Sequence, residues 1–163
     1  MQTLPMTLET DAVGANGALD ARYTCDLDNS SPELKWNHVP KGTSSFALIA
    51  RDLELSSNGT VLWVVYRIPQ HIHHLPAGIP PQEALPNGIF QGVNSFGKLG
   101  YFGPCPPIGD RKHHYQFRLF ALSAHLELGR RLTEPQLSMM ISSYVIATAE
   151  IVGVYQRMIQ KAG

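Results

Sequence analysis

No apolar run in this chain of 163 residues approaches the length needed to cross a bilayer as a helix. Charge is also scarce. Charged residues make up 16%, and thirteen basic side chains cancel thirteen acidic ones. With no like-charged block either, broad electrostatic capture of nucleic acid or of an anionic membrane is excluded. A specific pocket for one anion needs no net charge and stays open. The segment from Met1 to Thr10 lacks a basic stretch followed by an apolar one, so no signal peptide is read and a cytoplasmic setting is expected. Cysteine is nearly absent. Cys25 and Cys105 stand far apart and match no metal or redox spacing, so two thiols in a reducing cytosol are expected rather than a disulfide.

Hydrophobic residues reach 44%, enough for a packed core, and the length suits one domain over residues 1–163. Fourteen glycines and twelve prolines are scattered, which punctuates many short elements. Ser45–Ala50 and Val61–Ile68 are rich in β-branched and aromatic residues and read as strands; the second is nearly continuous in apolar residues, as a strand buried on both faces would be. Asn58-Gly59 between them is a favoured turn pair. Tyr115–Leu122 alternates, with Tyr115, Phe117, Leu119 and Ala121 on one face. Thr133-Glu134-Pro135-Gln136 is a capping-box pattern, and Leu137, Met140 and Ile141 follow at helical spacing, predicting a helix from about Glu134 to Ser142. Val145–Tyr155 is either more helix or a returning strand, with Ile151, Val152 and Val154 favouring strand at its end. The fold class is therefore mostly β: an antiparallel β-sandwich with a short helical C-terminal portion.

Gln70–Pro81 carries His71, His73 and His74, but no carboxylate or thiolate stands at ligand spacing, so they read as solvated loop histidines. The segment richest in chemistry is Gly103-Pro104-Cys105-Pro106-Pro107 and its continuation to Tyr115. Its prolines stiffen the loop, and Gly103 and Gly109 let backbone approach a ligand closely. A stiff loop can aim its remaining amides at an anion. His113 and Tyr115, two apart on a strand, offer an imidazole and a phenol on one face. Spacing alone supports equally a ligand site and a proline-rich connector whose histidine and tyrosine merely cap a strand. No motif calls for a cofactor or a metal.

Ser31-Pro32-Glu33-Leu34-Lys35-Trp36, Asp52, Gly103-Pro104-Cys105-Pro106-Pro107, His113-His114-Tyr115 and Gly153-Val154-Tyr155-Gln156-Arg157 follow one another in an order that resembles the bacterial branch of the phosphatidylethanolamine-binding (Raf-kinase-inhibitor-like) protein family. The resemblance implies a surface cavity for phosphate-like anions or phospholipid headgroups. It places ligand-binding roles on Asp52, Gly103, Pro104, Pro106, Pro107, His113 and Tyr115, with Asp52 orienting His113. Departures are expected at the same pocket: Leu62 stands for a histidine, Thr60 for a tryptophan and Tyr144 for a helix-end histidine. Partners expected are a small anionic or phospholipid-like ligand and, as alternatives, a protein partner or a second copy of the chain. A binding protein is the first reading, a regulatory interaction module the second, and an enzyme with Asp52–His113 as acid–base pair and Cys105 or Ser56 as nucleophile the last.

Overall fold

A computed structural model describes residues 4–54 and 59–158. Its frame is a five-stranded antiparallel sheet in the order β6-β4-β3-β7-β8, formed by β3 (Ser45–Asp52), β4 (Thr60–Pro69), β6 (Phe90–Gln91), β7 (His113–Leu122) and β8 (Val145–Tyr155). A smaller sheet, β1-β2-β5, comprises β1 (Thr7–Glu9), β2 (Leu34–Asn37) and β5 (His74–Leu75). The expected strands therefore form, each slightly longer than its apolar run. The hairpin pair is described only at Gly59, because Asn58, like Ser56, lies outside the described residues.

Alternation assigns the faces. Phe46, Leu48, Ala50, Tyr115, Phe117, Leu119 and Ala121 point one way and pack with Met6, Leu8, Leu34 and Trp36 of the small sheet. Ala47, Ile49, Val64, Tyr66 and Leu122 point the other way, against Leu128, Leu132, Leu137 and Ile141. Strands β3 and β4 are thus covered on both faces, which is why their sequences are almost unbroken in apolar residues. The helix α1 (Glu134–Ile141) supplies the second cover; Thr133 and Gln136 close its capping box as their types predict. The Val145–Tyr155 segment is strand along its whole length, because it pairs with β7 from Leu122 back to His113. Tertiary pairing here overrides the weak local preference of its Ala- and Glu-containing middle. Among the described residues no helix is long and apolar enough to cross a membrane.

The cysteines depart from expectation. Cys25 and Cys105 form a disulfide with Cα atoms 5.4 Å apart. Their distance along the chain carries no information about distance in space, and three further contacts bring the two segments together. The Gly103 amide donates to Asn29 Oδ1 at 2.7 Å, the Cys25 amide to the Pro104 carbonyl at 3.1 Å, and the Tyr101 hydroxyl to the Tyr23 carbonyl at 2.6 Å. Glycine is required at 103, since a Cβ there would sit 2.3 Å from the Tyr23 carbonyl oxygen.

Candidate functional site

Antiparallel pairing of β3 with β7 sets Asp52 opposite Tyr115, so the acid at the end of one strand meets the residues that begin the other. His113 is 2% exposed and Asp52 1%. The imidazole Nδ1 lies 2.7 Å from Asp52 Oδ2, and Asp52 Oδ1 accepts from the Glu54 amide at 2.8 Å. At the other side of the ring, Nε2 lies 2.8 Å from Asp110 Oδ2. Facing two ionised carboxylates, which only accept, both ring nitrogens act as donors when the ring is protonated, and the arrangement suits an imidazolium. Burial pushes the His113 pKa down, but the hydrogen bonds to Asp52 and Asp110 outweigh it and hold the pKa above its usual value. The same contact holds Asp110 below the usual carboxylate range.

Tyr115 stacks on the imidazole with ring centroids 6.3 Å apart. Its hydroxyl is buried and forms no hydrogen bond of good geometry. Burial raises its pKa above the ordinary tyrosine range, and the Asp52 charge adds to that rise. A buried donor without a well-formed bond, beside a buried imidazole, is an incomplete polar site. A second pair flanks it: Glu54 accepts from the His114 amide, and its other oxygen lies 2.6 Å from His114 Nδ1. Burial acts to raise the Glu54 pKa, yet these bonds bring it below its usual value. Asp52, Glu54 and His113 could together offer three ligand atoms to a cation, although each already has a protein partner.

The proline loop behaves differently from the cradle expected of it. The amides of Gly103, Gly109 and Asp110 are taken by Asn29 Oδ1, the Arg157 carbonyl and the Pro107 carbonyl. Pro104 and Pro106 are buried against the fold, and Pro107 lies exposed. The loop thus presents a side chain, Asp110, rather than a ring of amides. Arg157 braces it, with Nε 2.9 Å from Asp26 Oδ1 and a guanidinium nitrogen 3.7 Å from Cys105 Sγ, while Tyr155 also bonds Asp26.

Of the expected departures, Leu62 is buried in the core between the sheets, 2% exposed, and its carbonyl accepts from the Phe102 amide just before the loop. Thr60 pairs directly with Asp52. Tyr144 does not belong to this group. Its carbonyl bonds the Ser123 amide beyond the far end of β7, a strand length of roughly 30 Å from His113. The three histidines of Gln70–Pro81 are exposed as expected, but His74 begins β5 and lies on Glu33 at 2.9 Å, while His73 lies on the Gln70 carbonyl at 3.0 Å. Sequence reasoning missed Asp110 and the Glu54–His114 pair. Asp110 had a signal in its position three residues before His113, at the end of a turn closed by the Pro107 carbonyl.

The model of the phosphatidylethanolamine-binding protein family matches residues 9–156. A UPF0098 protein of Methanothermobacter thermautotrophicus is 39% identical over 152 residues, covering 93% of this chain and 99% of its own. The UPF0098 protein YbcL of Escherichia coli is 39% identical over 138 residues, or 82% of this chain and 75% of its own. The crystal structure of YbcL, described as a new member of the mammalian PEBP family, superposes with a TM-score of 0.86 and 32% identity over 96% of this chain and all of that one. A phosphatidylethanolamine-binding protein homologue from Chlamydia trachomatis gives a TM-score of 0.83 and 30% identity, covering 94% of this chain and 98% of its own.

Proposed function

The chain belongs to the phosphatidylethanolamine-binding protein family, and from that premise we propose that it is a small-ligand binding protein whose site receives an anionic oxygen at His113. The observation that carries this reading is the imidazole itself: buried Asp52 fixes its Nδ1 side, and Nε2 is already directed at a carboxylate oxygen. A phosphate or phosphomonoester oxygen is the chemistry that such a donor holds by a charge-assisted bond. Tyr115 supplies a neutral donor beside Asp52 that forms no hydrogen bond of good geometry. A binding role is favoured over turnover because Cys105, one of the two nucleophiles considered, is held in a disulfide and offers no thiol. That disulfide also favours work in an oxidising compartment over the cytoplasmic setting expected from the N-terminus. Titrating inorganic phosphate and O-phosphoethanolamine at pH 6, with the His113 imidazole signals followed by NMR, tests the reading. Saturable shifts at millimolar ligand are expected, and none at His113 with either compound defeats it.

One observation favours an interaction role alongside. Met139, Met140, Tyr144 and Ile146 are all exposed where α1 turns into β8, the edge strand of the large sheet. Such an apolar cluster suits a protein partner or a second copy of the chain. Sedimentation of the wild type and of Ile146→Glu distinguishes these: a dimer broken by the substitution supports self-association, and a monomer in both opposes it.

A further inference from the structure

We infer that Asp110 is a tethered occupant of the His113 site, and that an external oxyanion enters by exchanging with its carboxylate. The inference rests on the proposed anion-binding reading and adds what controls access to it. The two carboxylates on the imidazole are not equivalent. Asp52 is 1% exposed at the side chain and belongs to the sheet, whereas the Asp110 side chain is 45% exposed and belongs to the loop. The buried ring therefore meets solvent on the side that Asp110 covers. Backbone contacts hold the loop independently of that carboxylate: the Asp110 amide on the Pro107 carbonyl, the Gly109 amide on the Arg157 carbonyl, and Gln156 Nε2 on the Asp110 carbonyl at 3.0 Å. Rotation about the Asp110 side-chain bonds releases His113 without breaking any of them.

The occupant also defines the ligand class. Removing Asp110 from Nε2 leaves a buried imidazolium short of one acceptor, a state that costs unless another anion replaces it. A neutral acceptor gives Nε2 only an ordinary hydrogen bond, whereas a carboxylate or phosphate oxygen replaces the charge-assisted bond that Asp110 made. The tether makes Asp110 a competitor at high local concentration, so that the wild type binds with its intrinsic affinity reduced by the fraction of molecules held closed. Arg111, whose charge already acts on Asp110, is a neighbour able to receive the released carboxylate.

The test compares wild type, Asp110→Asn and Asp110→Ala by calorimetric titration with inorganic phosphate, acetate and O-phosphoethanolamine. Circular dichroism confirms that each variant is folded; the Asn variant keeps the side-chain shape while removing the charge. Phosphate is expected to bind both variants roughly tenfold more tightly than the wild type. Tighter binding of O-phosphoethanolamine than of phosphate assigns the site to headgroup-like ligands, and equal binding assigns it to the free anion; either supports the exchange. Equal phosphate affinity in all three proteins overturns it while leaving the anion site in place. No binding of any of the three compounds to any protein overturns both the exchange and the reading beneath it.

Discussion

Replacing both Cys25 and Cys105 by serine removes a crosslink between residues 80 apart in sequence. In the chain-entropy account, closing a loop of that length destabilises the unfolded ensemble by about 4.5 kcal/mol, and removing native disulfides typically costs about 2–5 kcal/mol. The lower half of that range is expected here, because a compact denatured state already lacks part of the entropy that the crosslink removes, and the native junction keeps its other ties. The Gly103 amide on Asn29, the Cys25 amide on Pro104, and Arg157 on Asp26 all survive the substitution. A loss of about 3 kcal/mol lowers Tm by roughly 6–12 °C in a chain of this size. Since the effect lies mainly in the unfolded state, the urea m-value rises, as the freed chain exposes more surface on unfolding. Differential scanning calorimetry and urea titration of wild type, reduced wild type and the double variant measure both quantities. The unfolded wild type should also show no free thiol before reductant is added. Unchanged Tm and m-value in the double variant would refute the reasoning, as would two reactive thiols in freshly purified protein.

Three further outcomes follow from the site. Tyr115→Phe removes a hydroxyl that lies beside Asp52 without a hydrogen bond of good geometry, so urea titration should show a stability change within about 1 kcal/mol, while phosphate affinity drops by roughly two- to tenfold; a stability loss beyond about 2 kcal/mol would mean the hydroxyl is firmly bonded. Leu62→His places an imidazole at a core position 2% exposed and should cost about 3 kcal/mol in urea titrations rather than rebuild a binding group. The third concerns pH. His113 is raised above 6.5, so its stabilisation is complete below that value and is lost as pH rises through the raised pKa. Asp110 is lowered below 3.8, so its share is present above that value and is lost as pH falls through the lowered pKa. Asp52, Glu54, His114 and Tyr115 surround the pair but are unchanged in Asp110→Asn. The stability gap between wild type and that variant should therefore be widest between pH 3.8 and 6.5 and narrow above; a gap that widens from pH 6 to 9 contradicts the pairing.

Period and capping carried most of the architecture. The strict alternation of β7 placed Tyr115, Phe117, Leu119 and Ala121 on one face, and the Thr133–Gln136 box started α1 where the residue types put it. The closeness of Asp52 to His113 came from the family resemblance, and pairing of the two strands produces it. What stayed hidden depends on long-range closure. No periodicity reveals that Gly103 packs on Tyr23, so the disulfide and the diverted loop amides were invisible, and the loop was read as an anion cradle. Tyr144 was grouped with the pocket by motif order, although motif order says nothing about which end of a strand a residue occupies. Asp110 carries no sequence signal beyond its place before His113, since its neighbours Arg111 and Lys112 say nothing of which side chain it meets. Its meaning appears only when the turn delivers it to His113.

The most direct test is a crystal structure of the Asp110→Asn protein grown at pH 6 with O-phosphoethanolamine. The account predicts a phosphate oxygen within about 3 Å of His113 Nε2, with Asp52 still on Nδ1 and the Tyr115 hydroxyl turned to the ligand. Phosphoethanolamine bound elsewhere, with the His113 ring unoccupied, would contradict it.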